Sequence, residues 1–158
     1  PKIAEDAARR PMPLLQYGHG LMGSSEESKA GWLRELANTY GYVVVAHDCG
    51  LIINPDGLRN QIEGNVIQAI SRTLKEEVKF DLAMVTSVDW RLYPILRFSE
   101  IPEVVTELIN HPDQPSVGAG EPTNSAILAA IADAIFNATG ARLRTVPFTP
   151  ERVKAALS

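Results

Sequence analysis

Tyr42-Val43-Val44-Val45-Ala46 is an unbroken apolar run, with Gly41 before it and Asp48 shortly after it. Without polar alternation, neither face of such a strand is suited to water, and packed layers must cover both. Upstream, Leu14-Leu15-Gln16-Tyr17 is a second strand candidate that runs into the glycine turn Gly18-His19-Gly20. Ser24 followed by Glu27 has the spacing of a capping box. A helix over residues 26–39 then sets Trp32, Leu33, Leu36 and Tyr40 near one face, and Gly41 ends it. Strand, glycine turn, helix and strand in that order form a βαβ pattern.

After this unit the periodicity changes. Asn54-Pro55-Asp56-Gly57 has the composition of a turn. Beyond it Ile62, Val66, Ile70 and Leu74 recur every four residues, which predicts a helix over 58–77. Residues 79–89 alternate loosely and read as extended, and 103–110 alternate well enough to predict a strand. A proline-marked loop at 111–115 carries His111, read as solvated. An apolar helix over 122–138 is closed by Gly140, and Thr149-Pro150-Glu151 starts a short last helix with threonine as its cap. These elements predict an α+β fold: a mixed sheet of roughly four to six strands packed by about four helices. Ile62, Val66, Ile70, Ile127, Ile131 and Ile135 are the expected core.

Composition narrows the chemistry. The 158 residues carry 15 Lys and Arg against 19 Asp and Glu, a formal charge of −4. That balance argues against a nucleic-acid partner, which needs a basic face. The apolar runs are too short to span a bilayer. One cysteine, Cys49, allows neither an internal disulfide nor a cysteine-held zinc or iron–sulfur site. The chain opens on Pro1 without a signal-peptide pattern, which reads as processing or as a piece of a longer protein.

Among single residues Glu121 is the most informative. It follows Gly118 and Gly120 and precedes the helix-starting Pro122. A carboxylate there can cap the helix or act as a general base on a group that the glycines let approach. Gln61 and Glu63 flank Ile62 early in the long helix; Gln61 can hydrogen-bond a polar heterocycle or simply face water. Gly64 inside that helix hints at close packing of another backbone or a ligand. Gly18-His19-Gly20 has the make-up of an oxyanion-hole turn, yet no G-x-S-x-G elbow supplies a nucleophile. His47, Asp48 and Cys49 are adjacent, so as strand residues they point to opposite faces and make a poor metal site.

From about residue 43 to the C-terminus the chain resembles the end of the molybdenum-cofactor-binding large subunit of the xanthine dehydrogenase and aldehyde oxidase family, isoquinoline 1-oxidoreductase type. The stretches that carry the likeness are Asp48-Cys49-Gly50, Ile53-Asn54-Pro55-Asp56-Gly57, Asn60-Gln61-Ile62-Glu63-Gly64, Tyr93-Pro94-Ile95-Leu96-Arg97-Phe98 and Gly118-Ala119-Gly120-Glu121. The resemblance implies a fragment of a larger molybdopterin-binding domain. It places Glu121 at the family's catalytic glutamate and Gln61 at the glutamine that contacts the pterin. Gly118 and Gly120 would line the cofactor, and no residue here would ligate the metal. The implied reaction hydroxylates a carbon beside a ring nitrogen, or an aldehyde carbon, with oxygen from water. An iron–sulfur small subunit would carry the electrons away. Because the family's large subunit is several times longer, the isolated chain is expected to be inactive.

Residues 13–46, above all Pro13-Leu14-Leu15-Gln16-Tyr17-Gly18-His19-Gly20, resemble instead the early strand, turn and helix of an α/β-hydrolase. The expected organisation is a chimera: residues 1–46 hydrolase-like, residues 47–158 of molybdenum-hydroxylase type. An esterase fragment and a non-catalytic interaction module are the rival readings.

Overall fold

The computed structural model describes residues 14–17, 43–46 and 48–158. Leu14–Tyr17 form strand β1 and Val43–Ala46 form strand β2. The helix expected over 26–39, the Gly18-His19-Gly20 turn, the Ser24 cap and His47 lie outside the described residues.

Val104–Thr106 form strand β3, and the three strands make one sheet in the order β2-β1-β3. Both pairings are parallel: Leu14 lies opposite Val43 on one side and Val104 on the other. The mixed sheet expected from sequence is therefore corrected to a three-stranded parallel one among the described residues. The predicted strand over 103–110 shrinks to three residues. Its three residues pair with Leu14, Leu15 and Gln16 of β1.

The long helix α1 spans Pro55–Leu74 and takes in what looked like a separate turn. Asn54 is its N-cap: its side-chain oxygen accepts from the Gly57 N–H at 2.9 Å, while Pro55 fills the first helical position. The helix ends at Leu74, where Lys75 leaves helical geometry. Helix α2 spans Gly120–Thr139, starting two residues earlier than Pro122. Proline is tolerated in that first turn because its missing N–H would have had no helical partner. Gly140 closes α2 in the left-handed region at φ 75°, its N–H donating to the Phe136 carbonyl at 2.7 Å. Helix α3, Pro150–Ala155, begins at the Thr149 cap as expected.

Helix α1 packs against α2, α2 packs on β2, and α1 packs on β3. Ile62, Val66, Ala69 and Ile70 of α1 and Ile127 of α2 form the buried cluster. Ile131 lies half-buried on its margin and Ile135 is half-buried farther along, so those two are not core as expected. The far half of α1 also anchors the chain that follows. Ser71 Oγ accepts from the Leu96 N–H at 2.9 Å, and the Thr73 carbonyl accepts from the Phe148 N–H at 2.6 Å. Residues 79–89 are not an extended ladder; their one bridge, Phe80 to Val85, is antiparallel and local.

Candidate cofactor site

Two loops distant in sequence build the floor of the site. The Asp48–Ile52 turn is stitched to residues 110–117. The Val117 N–H donates to the Cys49 carbonyl at 3.1 Å and the His111 N–H to the Gly50 carbonyl at 3.3 Å. The Ile52 N–H donates to Asn110 Oδ1 at 2.8 Å. Gly50 sits at φ 65°, and a Cβ built on it would lie 2.1 Å from the Pro115 carbonyl oxygen. Only glycine fits so close an approach in that conformation.

These bonds fix the loop that leads into α2. Gly120, its first residue, lies against α1: a Cβ there would stand 3.4 Å from both Gln61 Nε2 and Asn65 Nδ2. The Asn65 amide in turn donates to the Gln61 carbonyl at 2.8 Å. Gln61 and Gly120, singled out separately in the sequence, are thus neighbours. Gly118 is exposed, and among the described residues nothing lies within 4 Å of its Cβ position.

Glu121 occupies the first turn of α2 and is exposed. The N-cap is Ala119, with no side-chain cap bond, and Glu121 is the acid of the first turn. Thr123 is fully buried, and its hydroxyl donates back to the Ala119 carbonyl one turn earlier. Glu121 is one residue on from the glycine that meets the Gln61 and Asn65 amides. It sits at a helix end that favours negative charge.

Other expectations need correcting. Among the described residues Gly64 has nothing within 4 Å of its Cβ position, so none of them packs its backbone against it. Glu63 is half-buried, with Thr106 Oγ1 donating to its Oε1 at 3.4 Å; Arg59 Nη1 donates to the Thr106 carbonyl at 2.9 Å, tying α1 to β3. His111 is not solvated: it is half-buried, and its buried Nε2 has no partner among the described residues. Cys49 is half-buried, and burial, aided by the Asp48 carboxylate, pushes its thiol above the ordinary range. Asn65 was missed, though a second amide four residues after Gln61 falls on the same helical face.

Residues 37–102 match the family described as the molybdopterin cofactor-binding domain. Over 115 residues, 73% of the chain, the sequence is 50% identical to a nicotinate dehydrogenase polypeptide of Pseudomonas putida, and covers 10% of it. This segment belongs to the molybdenum-binding subunits of the xanthine dehydrogenase and aldehyde oxidase family. The molybdenum-binding segment is also 33% identical over 105 residues to the beta chain of isoquinoline 1-oxidoreductase from Brevundimonas diminuta, spanning 66% of this chain and 13% of that protein. Among solved structures it is similar to quinoline 2-oxidoreductase from Pseudomonas putida 86, with a TM-score of 0.61 and 31% identity. That match covers 70% of this chain and 15% of the other. The segment therefore spans only 10% and 13% of the two curated relatives.

The family's cofactor is a molybdenum–pterin group, and the donors present suit its organic part. Side-chain amides such as Gln61 both donate and accept, matching the polar edge of a pterin, and Gly118 leaves backbone accessible. Among the described residues no three His, Cys, Asp or Glu side chains gather within reach of one metal ion. Among the described residues no helix is long and apolar enough to cross a membrane.

Proposed function

We propose that residues 47–158 form the closing part of a molybdenum hydroxylase active site, in which Glu121 is the general base. The observation that carries this reading is the convergence at Gly120: the Gln61 and Asn65 amides on one side, the exposed Glu121 carboxylate next in the chain. Gln61 holds the pterin edge through its amide, and the backbone at Gly118 and Gly120 borders the group. Glu121 takes a proton from the water-derived oxygen that ends on the substrate carbon. When bound, the molybdenum–pterin group supplies a two-electron acceptor for the oxidation. The substrate is an N-heterocycle or an aldehyde, whose C–H becomes C–OH, and an iron–sulfur small subunit receives the electrons. The names of the relatives, which include dehydrogenases and oxidoreductases of such compounds, support this class.

The chain alone is inactive on this reading, because its relatives build the site from far more polypeptide. On this reading the hydrolase-like segment is the part that precedes the family match at residue 37, so β2 falls on the molybdenum-hydroxylase side of the expected boundary at 46. Two measurements test the proposal. Purified chain should hold no stoichiometric molybdenum and turn over neither nicotinate nor an aromatic aldehyde. Residues 47–158 grafted in place of the matching stretch of the Pseudomonas putida nicotinate dehydrogenase polypeptide should restore both, and Glu121→Gln in that graft should remove turnover by about a thousandfold or more while keeping molybdenum. Turnover by the chain alone, or an active Glu121→Gln graft, overturns it.

A further inference from the structure

Gly120 opens α2, and the fold gives it no reason to be glycine. Its φ is not positive, since among the described glycines only Gly50 and Gly140 lie in that region. Glycine within a helix is also less stable than alanine. Steric need is absent too. A Cβ at Gly120 would stand 3.4 Å from Gln61 Nε2 and 3.4 Å from Asn65 Nδ2. Among the described residues no other atom lies within 4 Å of it beyond its chain neighbours and its own helix backbone. A methyl group would therefore touch both amides at ordinary contact.

What the glycine leaves is a small space walled by two side-chain amides. Both come from one face of α1, where residues four apart are neighbours. Gln61 is exposed and Asn65 half-buried, so the pair reaches from the surface inward. Asn65 is held in place: its Nδ2 donates to the Gln61 carbonyl at 2.8 Å, which lays the side chain back along the helix beside Gly120. An amide nitrogen carries two N–H groups, and this bond uses one of them. Asparagine is a poor helix former, and a side chain that bonds back to a helix carbonyl does not strengthen the helix. Helix α1 thus gains nothing from Asn65 that alanine would not give it.

We propose that Asn65 is a second cofactor-binding residue. With Gln61 it forms a pair of amide donors that grip one carbonyl oxygen of the pterin, in the space that Gly120 keeps free of a side chain. Amide N–H groups close on an oxygen at about 2.7–3.2 Å, so from 3.4 Å each side chain needs to move by only about half an ångström. Both donors are neutral, and the exposed Glu121 carboxylate is next in the chain. The pair therefore suits an uncharged carbonyl and not a phosphate. The assignment rests on the reading that residues 47–158 border a molybdenum–pterin group.

The test uses the graft in the Pseudomonas putida polypeptide, following pterin release over time by fluorescence and molybdenum content by elemental analysis. Asn65→Ala should release pterin at least roughly fivefold faster than the unaltered graft, the loss of one hydrogen bond to a buried acceptor. Asn65→Thr separates the amide from its anchor. A threonine hydroxyl bonds back to the carbonyl one turn earlier, as Thr73 and Thr123 do to Ala69 and Ala119, but brings no amide to Gly120. It should release pterin as fast as Asn65→Ala. Gly120→Ala, whose methyl fills the space, should do the same. In the free chain Asn65→Ala and Gly120→Ala should keep the unfolding midpoint or raise it. Retention like that of the unaltered graft in any of the three variants overturns the pair; in Asn65→Thr it would reduce Asn65 to a brace for α1. A midpoint lowered by Asn65→Ala also overturns it, by making the residue structural. An unaltered graft that loads no molybdenum sinks the cofactor reading and the pair with it, whereas a loaded graft indifferent to Asn65 sinks the pair alone. An active Glu121→Gln graft whose pterin release still answers to Asn65 sinks the general-base reading alone.

Discussion

Gly50→Ala tests how the candidate site is held together. At φ 65° an L-residue is strained by about 1–2 kcal/mol. The added Cβ would also start 2.1 Å from the Pro115 carbonyl oxygen, so the two loops must separate by roughly 1.4–1.9 Å to reach ordinary contact. That movement breaks or stretches the Val117-to-Cys49 and His111-to-Gly50 backbone bonds, each worth about 0.5–1.5 kcal/mol net. The expected loss is about 2–5 kcal/mol, a large share of the roughly 5–15 kcal/mol that holds a typical domain folded. Urea unfolding followed by circular dichroism measures it, and hydrogen exchange at the Val117 amide reports whether the loss is local to the seam. A variant within about 0.5 kcal/mol of the parent, with Val117 exchange unchanged, would show that Gly50 is not what fixes these loops.

Ile127→Ala removes a fully buried side chain from the centre of the α1–α2 cluster and should cost about 2–5 kcal/mol in the same unfolding assay. Gly64→Ala should do the reverse: the new methyl meets nothing within 4 Å, so a stabilisation of about 0.5–1 kcal/mol is expected from helix propensity alone. Glu100 is held below the ordinary glutamate range by its bond from Lys75, helped by the Arg97 N–H at 2.9 Å. A carboxylate lowered in the folded state contributes where the unfolded side chain is ionised, and that contribution is lost as pH falls through the lowered folded value. A carboxyl NMR titration should therefore place Glu100 below an unstructured glutamate, and Lys75→Met should move it back up.

What the sequence made legible was what local chemistry decides. The four-residue spacing of Ile62, Val66 and Ile70 located α1, Gly140 ended α2, and Thr149-Pro150 opened α3 where expected. Boundaries failed where one residue can serve two roles: Asn54-Pro55 suits a turn as well as a cap with proline at the first helical position. Strand pairing was harder, because period-2 alternation at 103–110 carries no information about how long its partner is. At the site, Gln61 and Gly120 were each visible, but their meeting depends on how α1 and α2 pack. Gly50 came into view only as part of a motif, since its need for glycine arises from Pro115, far along the chain.

The strand order carries a consequence for how the molecule is made. β1, the earliest strand among the described residues, is the central rung, and β3 pairs with it and not with β2. A ribosome releases β1 and β2 well before the residue that completes the sheet. The first parallel pair must then wait with one ladder edge unsatisfied until Val104–Thr106 emerge. Distant parallel pairings close slowly and leave open edges exposed in the interval. Refolding from denaturant should therefore form the α1–α2 pair early and the sheet last, and soluble yield should fall most sharply when synthesis is hurried.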